Sequence, residues 1–291
     1  MEQNMEYRFD FVSDVITSRQ NPSVLYACRL AEKKHRQKER KFRIDGIKLF
    51  EEAVCSGVDI ETVFIAEGAK DRIFARLGNF LTNATDSGSE IKILSDGVFE
   101  KISEEKSPEG IICVAKYIDK LHKIATINNI EAIVGGIIES KQSVFALESV
   151  RDPGNLGTII RSAVAFGVDC ILISSDCADL YNPKTLRAAM GTIFKQNVIV
   201  AEDMVLMLKA FSDGGRRTYA AALSSDAVLL GKRELSAYDC IVVGNEGHGL
   251  SDEIISVCND RILIPMTPSA ESLNAAIASS VCLWEQFGRN L

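Results

Sequence analysis

The residues best suited to chemistry follow an apolar run of Val, Phe, Ala and Leu near the middle of the chain. Asp152 and Pro153 supply the cap and first turn of a helix that begins by Asn155. Arg161 lies about 140° from Leu156, the first residue of the helix's apolar stripe, so it is not a core residue. Asn155 and Arg161 therefore lie near a helix N-terminus, which favours an anion. A capping asparagine and a surface arginine are the alternative interpretation.

A second candidate is Glu246, which lies inside a glycine-rich turn. Glycines at 244, 247 and 249 allow positive φ and close approach of a ligand to the backbone. Their spacing is not the dinucleotide fingerprint, and the P-loop lysine is absent. The Glu246 carboxylate could accept hydrogen bonds from an amine or an arginine, or it could be an exposed loop acid.

A basic strip spans residues 29–43, although the whole chain has a formal net charge of −7. The strip holds eight Lys or Arg residues against two Glu residues. Counterion release depends on the charges that touch phosphate, so an acidic protein can still bind RNA through such a strip. A solvated, salt-bridged helix face is the alternative. The candidates for phosphate contact are Lys33, Lys34, Arg36, Lys38 and Arg40.

The elements that must position these residues alternate between helix and strand. The first 120 residues predict a small α/β domain, with helices near 22–40, 46–56, 70–81 and from 95, and strands at 62–66, 91–94 and 110–117. Residues 121–142, which include the pair Gly135-Gly136, carry mixed signals and are interpreted as a linker or boundary zone.

From residue 143 to the C-terminus the alternation is cleaner and predicts a second domain. Strands are expected at 143–148, 170–173, 197–200, 218–221, 240–243 and 261–264, with helices at 155–166, 183–193, 203–212, 251–257 and 272–287. This alternation is typical of a mostly parallel sheet with helices on both faces. Ligands bind at the carboxyl ends of such strands, so the loops after Glu148, Val243 and Ile264 should carry the chemistry.

The predicted helix over 272–287 has almost no charge on either face, so we expect both faces to be buried. A dimer interface and packing inside the subunit both fit that pattern. One face carries Leu273, Ala276, Ile277, Ser280, Val281, Trp284 and Phe287, and the other carries Ala275, Ala278, Ser279 and Cys282.

Composition narrows the class of protein. With 291 residues, 46% hydrophobic and 25% charged, the chain is long enough for about two folded domains. No long apolar span or signal peptide is visible, and the eight cysteines form no C-x-x-C pair, so we expect a cytoplasmic protein with reduced thiols. Three histidines without cysteine neighbours at ligand spacing predict no metal site.

Three blocks together resemble the motifs of the SpoU family of RNA ribose methyltransferases, within the knotted SPOUT superfamily. They read N-L-G-T-I-I-R-S-A-x-A-F-G at 155–167, G-N-E-G-x-G-L-S at 244–251 and I-P-M-x-x-x-x-E-S-L-N at 264–274. More loosely, residues 16–22 and 42–50 are similar to the substrate-binding domain that precedes the catalytic domain in many members. Pro268 departs from the family pattern, where many members have Gly.

The resemblance implies a C-terminal trefoil knot, a homodimer and S-adenosylmethionine as the methyl donor. It assigns donor binding to Gly244, Asn245, Ile264, Met266 and Leu273, and catalysis and substrate orientation to Asn155, Arg161, Glu246, Ser272 and Asn274. The implied reaction is methylation of an RNA ribose 2′-hydroxyl without a metal. Arg161 is the implied base, but a free guanidinium is a very poor base. It acts either as a perturbed base or by binding the adjacent phosphate and lowering the hydroxyl's pKa.

The expected substrate is rRNA, with tRNA left open. A catalytically silent RNA-binding or ribosome-assembly protein on the same fold is the alternative from another class. A metabolic α/β enzyme does not explain why three loops match together. A methyltransferase that confers antibiotic resistance would look nearly the same in sequence.

Overall fold

The computed structural model describes residues 14–224, 226–245, 247–267, 269 and 272–288. The chain divides into two compact units. The first takes in the described residues up to Ile118 together with Tyr181–Leu186. The second takes in Asp119–Leu180 and the described residues from Arg187 onward.

The first unit is built on a mixed sheet. Its described strands are β1 (Val15–Ile16), β2 (Lys41–Asp45), β3 (Ile60–Ala66), β4 (Glu90–Leu94) and β5 (Ile111–Lys116). They lie in the order β1-β4-β3-β5-β2, and β5 runs antiparallel to both of its neighbours. The described helices are α1 (Pro22–Arg29), α2 (Lys33–Glu39), α3 (Ile47–Cys55), α4 (Lys70–Asp86) and α5 (Asp96–Ile102).

The single basic helix predicted over 22–40 is wrong, because the chain turns between α1 and α2. Leu30 is buried at this turn. Arg36 holds the turn by donating from Nη1 to the carbonyls of Leu30 and Ala31, at 2.8 and 2.6 Å. Strand β2, which the sequence did not predict, follows directly, and its Phe42 and Ile44 are buried.

The second unit is built on a larger sheet. Its strands are β6 (His122–Ala125), β7 (Val144–Leu147), β8 (Cys170–Ser174), β9 (Asn197–Ala201), β10 (Thr218–Ala221), β11 (Val228–Leu229), β12 (Cys240–Val243) and β13 (Asp260–Leu263). The described strands lie in the order β11-β13-β10-β12-β7-β8-β9-β6, and every described pairing is parallel. The predicted parallel α/β fold is confirmed.

Five of the six remaining described helices belong wholly to the second unit, and one, Pro183–Ala189, begins in the segment assigned to the first. They are α6 (Ile130–Glu139), α7 (Pro153–Ala165), α8 (Pro183–Ala189), α9 (Met204–Asp213), α10 (Asp252–Val257) and α11 (Ala275–Gln286). Apolar residues of α6, α9 and α10 form one core cluster with Val144, Ala146 and Leu172 of the strands. Helices α7 and α11 pack against each other. No helix in the described part of the chain is both long enough and apolar enough to cross a bilayer.

Residues 121–142, interpreted from the sequence as a boundary zone, lie inside the second unit rather than between the two. Strand β6 pairs with β9, and α6 packs on α9. Ile130, Val134 and Ile137 supply the buried face of α6. The pair Gly135-Gly136, one of the mixed signals in this zone, lies within the helix because the amphipathic face of α6 packs on the core of the second unit.

Candidate active site

The loops singled out from the sequence leave the second sheet at one edge. Strands β7 and β12 are neighbours, β10 lies beside β12, and β13 lies beside β10. Because all four strands are parallel, their carboxyl ends are spaced at about 4.8 Å along the same edge. The loops that follow them are therefore close enough to form one site.

The first and second loops are joined by hydrogen bonds. The Glu148 N–H donates to the Val243 carbonyl at 2.9 Å. The Glu148 carboxylate accepts from the N–H and the hydroxyl of Ser251, at 2.8 and 2.6 Å. Asn245 Nδ2 donates to the Ser149 carbonyl at 2.8 Å. The end of β7 therefore holds both ends of the glycine-rich turn.

The glycine-rich turn closes on itself. Asn245 and Gly249 exchange two backbone hydrogen bonds, at 3.0 and 2.9 Å, and Gly247 N–H donates to Asn245 Oδ1 at 2.7 Å. A Cβ on Gly244 would lie 2.3 Å from the carbonyl carbon of Gly249, so this position tolerates only glycine. Of the three glycines, only Gly249 has positive φ, at +70°. At Gly244 the turn uses the close backbone approach that glycine allows rather than positive φ.

Helix α7 presents the two residues predicted for chemistry. Its N-cap Asp152 accepts from the Asn155 N–H at 2.9 Å, which fixes the first turn. Arg161 is exposed and makes no hydrogen bond or ion pair with any described residue. The guanidinium is thus free to meet an anion. The predicted apolar stripe is confirmed, since Leu156, Ile159, Ile160 and Ala163 are all fully buried.

The third loop joins the first through two asparagines. Asn274 Nδ2 donates to Asn155 Oδ1 at 3.1 Å. The Asn274 Oδ1 accepts from the N–H groups of Ala276 and Ile277, at 2.9 and 3.3 Å, and so caps α11. Farther along, the hydroxyls of Ser162 and Ser280 lie 3.0 Å apart. Helices α7 and α11 are tied together where the loops meet.

The structure brings some of the predicted site residues together and leaves others apart. Asn155 and Asn274 are in contact, and Ser272 is exposed on the loop just before Asn274. Arg161 lies six residues beyond Asn155, about 9 Å farther along the helix axis. Glu246 and Pro268 lie outside the described residues.

The residues that the resemblance assigns to donor binding lie at or after the carboxyl ends of β12 and β13. Gly244 is buried, and Ile264, Met266 and Leu273 are half-buried. The loop after β10 was not among the three loops predicted for chemistry. It lies between the loops that follow β12 and β13, because β10 lies between those two strands in the sheet. Leu223 in this loop is 71% exposed. The signal was present, because β10 was predicted and ligands gather at such strand ends.

The five candidate RNA contacts in the basic strip differ in exposure, since four are exposed and one is buried. Lys33, Lys34, Lys38 and Arg40 are exposed, as a phosphate-binding face requires. Arg36 is only 2% exposed and donates to backbone carbonyls, so its prediction as an RNA contact is wrong. Burial of its side chain against the α1–α2 turn is the physical reason.

The two faces of α11 differ, although the sequence predicted both to be buried. Ala275, Ser279 and Cys282 are buried as expected. On the other face Ala276 and Phe287 are buried, but three apolar residues are exposed, at 54% for Ile277, 37% for Val281 and 51% for Trp284. Their spacing places them on one stripe of the helix, and the described residues cover only part of it, since the Trp284 ring packs edge-on against Phe166 at 5.8 Å between centroids.

All eight cysteines are free, and most are buried, as predicted. Burial raises the pKa of both Cys170 and Cys282 to about 12, so these thiols stay protonated and unreactive. Within the described ranges, no group of three or more His, Cys, Asp or Glu residues is placed to hold a metal ion.

Comparisons with known proteins match both halves of the chain. Residues 142–284 match the SpoU rRNA Methylase family, and residues 21–113 match the MRM3-like substrate binding domain. The 23S rRNA (guanosine(2553)-2'-O)-methyltransferase RlmP of Bacillus subtilis is 28% identical over 94% of this chain and 99% of its own. An uncharacterized tRNA/rRNA methyltransferase of Mycolicibacterium paratuberculosis is 30% identical, over 80% of this chain and 73% of its own.

A solved structure resembles the chain over nearly its whole length. The AdoMet-bound rRNA methyltransferase from Sinorhizobium meliloti superposes with a TM-score of 0.79 and 26% identity. The match covers 94% of this chain and 96% of that one. AdoMet is S-adenosylmethionine, so that relative holds the donor implied by the three sequence blocks.

Proposed function

Because the chain belongs to the SpoU rRNA methylase family, we propose that it transfers a methyl group from S-adenosylmethionine to a ribose 2′-hydroxyl of rRNA. The observation that carries this proposal is the hydrogen bond from Asn274 to Asn155. It joins the first and third loops at the carboxyl edge, and Arg161 is free on the same helix. Holding reactants in one site in this way can supply much of the acceleration of a displacement reaction.

We assign donor binding to the residues that follow β12 and β13. Gly244 would offer its backbone groups, Asn245 would hold the shape of the turn, and Ile264, Met266, Leu273 and Leu223 would contact the adenosine. When bound, S-adenosylmethionine supplies an electrophilic methyl group on a sulfonium sulfur. The chain's own task is then to orient the ribose and to keep its hydroxyl reactive.

Arg161 is assigned here to the phosphate rather than to the proton. A guanidinium is a very poor base unless its site desolvates it, and this one is exposed. A guanidinium that binds the adjacent phosphate through two N–H groups fixes the ribose and stabilises negative charge that develops on its oxygen. Ser272 would help to hold that phosphate, while Asn155, Glu246 and Asn274 would fix the geometry.

Mapping of 2′-O-methyl groups across total RNA, in cells with and without this protein, tests the proposal. We expect one rRNA position to lose its methyl group and to regain it when the wild-type chain, but not Arg161→Ala, is restored. Loss of a tRNA position instead would move the substrate to tRNA. If every position kept its methyl group while the protein still bound RNA, the chain would be a silent RNA-binding protein.

We propose that the exposed residues Lys33, Lys34, Lys38 and Arg40 bind RNA phosphate beyond the target nucleotide. The match to a substrate binding domain supports this assignment. Replacing the three lysines by glutamine should reduce the slope of log K against log salt by about two to three, since each phosphate contact contributes slightly less than one. Replacing the exposed lysines 141, 209 and 232 of the second unit changes the net charge equally and should leave the slope unchanged.

We propose that the exposed stripe of Ile277, Val281 and Trp284 is covered by a second copy of the chain in a homodimer. Exposed apolar patches of this kind are typical of interaction surfaces. The stripe also lies on α11, whose cap Asn274 belongs to the site. Sedimentation velocity should show a dimer for the wild type and a monomer for Trp284→Arg; a wild-type monomer would refute the assignment.

We infer two further properties from the family. The C-terminal segment would thread a trefoil knot, which is supported by β12 entering the sheet between β10 and β7 and by α11 returning to α7. The chain would act in the cytoplasm, where its proposed RNA substrate is found and where eight free thiols stay reduced.

A further inference from the structure

Asp176 follows β8 and belongs to none of the three loops predicted for chemistry, yet both of its carboxylate oxygens hold the first loop. The Ser149 hydroxyl donates to Oδ2 at 2.6 Å. The Ser174 hydroxyl donates to Oδ1 at 2.6 Å, and its oxygen accepts from the Ser149 N–H at 2.8 Å. Asp176 therefore constrains Ser149 in two ways: it accepts a hydrogen bond from the Ser149 hydroxyl, and it orients Ser174, which accepts from the Ser149 N–H.

These hydrogen bonds stabilise an unfavourable backbone conformation, because Ser149 lies in the left-handed region. Its φ is 55°, a conformation that costs an L-residue free energy relative to the extended or right-handed regions. The conformation aims the Ser149 carbonyl at the Asn245 side chain, which donates to it at 2.8 Å. Without the two hydrogen bonds that its hydroxyl and N–H donate, we expect Ser149 to relax and its carbonyl to turn away.

Asn245 carries the constraint into the glycine-rich turn. Its Oδ1 accepts from the Gly247 N–H at 2.7 Å, and its backbone pairs with Gly249 in both directions. A continuous path of hydrogen bonds thus leads from Asp176 through Ser149 to the turn at 244–249. Because hydrogen-bonded chains of this kind act as a unit, loss of the first member should loosen the last.

We propose that Asp176 is a positioning residue that sets the shape of the turn at 244–249 through Ser149 and Asn245, and thereby tunes affinity for the methyl donor. The donor-binding role of the turn rests on the proposed function. Asp176 itself touches no reacting group in this assignment.

The charge on Asp176 suits this role. Partial burial would raise the pKa of the carboxyl group, but hydrogen bonds from Ser149, Ser174 and Arg151 outweigh it and hold the pKa below its ordinary value. The carboxylate is therefore ionised at neutral pH. Arg151 lies 3.2 Å from Oδ2 but is 71% exposed, so water screens that ion pair.

Calorimetric titration of S-adenosylmethionine into the full-length protein and its variants tests the proposal. Asp176→Ala should weaken donor affinity about tenfold, because hydrogen bonds to a charged acceptor are lost along the path. Asp176→Asn keeps one acceptor and should lie between Asp176→Ala and the wild type. Arg151→Ala is the matched control: it removes the exposed ion pair, leaves the serine contacts and should bind the donor within twofold of the wild type.

Hydrogen exchange supplies a readout that needs no donor. In Asp176→Ala the amides of residues 244–251 should exchange faster than in the wild type, whereas Arg151→Ala should match the wild type. Thermal unfolding of each variant shows whether the whole domain has loosened instead. Wild-type exchange at 244–251 in Asp176→Ala would overturn the proposal.

A glycine at position 149 provides the decisive rescue. Glycine adopts the left-handed conformation without a side chain to hold it, so Ser149→Gly in the Asp176→Ala background should restore donor affinity to within about threefold of the wild type. A double variant as weak as Asp176→Ala would overturn the proposal. If the wild type itself bound no donor, the proposed function would fail. The exchange experiment would still test whether Asp176 stabilises the glycine-rich turn, because it requires no donor.

Discussion

The two edges of the second sheet carry similar polar residues and use them differently. At the amino edge, Asn259 Oδ1 accepts from the Thr218 N–H and hydroxyl at 2.8 and 2.9 Å, and Gln196 donates to the carbonyls of Val168 and Asp169. At the carboxyl edge, Arg161 and Ser272 are exposed and make no such bonds to described residues. These amino-edge groups bond inside the fold. The carboxyl edge also has internal bonds, such as Glu148 to Ser251, but it leaves Arg161 and Ser272 open to a ligand.

Polar groups that bond inside the fold contribute to stability, whereas exposed groups without a described partner are available for function. A buried polar group must find a partner inside the fold, so the amino edge contributes to the free energy of unfolding. An exposed group without a partner costs little and can bind a substrate. Binding at the carboxyl edge is the general behaviour of parallel α/β sheets. Substitutions at the two edges should therefore have separable effects.

Arg161→Ala should give the largest effect and confine it to activity. We expect kcat/KM for methyl transfer to fall on the order of a hundredfold to a thousandfold, because a charge-stabilising contact is lost. The free energy of unfolding should change by less than about 0.5 kcal/mol, since the side chain is exposed. Radiolabelled methyl transfer and urea unfolding measure the two quantities. Retained turnover would remove Arg161 from the mechanism and would contradict the functional role given to the exposed residues of the carboxyl edge.

At the amino edge, His122 should make stability depend on pH. Burial lowers the pKa of this histidine to about 4, opposed in part by its hydrogen bond to the Ile193 carbonyl at 3.1 Å. The unfolded chain binds a proton near pH 6.5 but the folded chain does not, so stability falls as the pH drops from about 6.5 to 4. The loss should be about 1.4 kcal/mol per pH unit and about 3 kcal/mol in all.

His122→Gln is the control for that prediction, because glutamine can still donate to the Ile193 carbonyl but does not titrate. Urea unfolding at pH 7, 6 and 5 should show a steeper loss for the wild type than for the variant. Equal slopes would show that His122 contributes nothing to the pH dependence. Methyl transfer at pH 7 should be the same in both proteins.

The Asn274 side chain serves both stability and the candidate site, since it caps α11 and also contacts Asn155. Asn274→Ser keeps an oxygen that caps α11 but is too short to reach Asn155. We expect kcat/KM to fall about tenfold while the free energy of unfolding stays within about 0.5 kcal/mol. Asn274→Ala should show the same kinetic loss and in addition lose about 1 kcal/mol of stability. Wild-type activity in Asn274→Ser would mean that contact with Asn155 does not matter.

Local pattern was enough for much of the fold and for part of the site. The four apolar residues of α7 that begin at Leu156 are buried, and Arg161 is exposed, as the 3.6-residue period requires. The same reasoning failed at Arg36, because a charge in a basic strip carries no sign of the turn that buries it. It failed at Gly135-Gly136 as well, where packing on the sheet outweighs the low helix propensity of glycine.

Local sequence was enough for most strands and helices of the second unit and for the Asp152 cap of α7, because those depend on neighbours a few residues apart. It did not reveal β2, β6 or α6. Only the tertiary structure decided that Asn274 meets Asn155, 119 residues away, and that Asp176 holds Ser149. Such pairs depend on which strands lie side by side. Strand order is set by the packing of the whole sheet, which no local periodicity records.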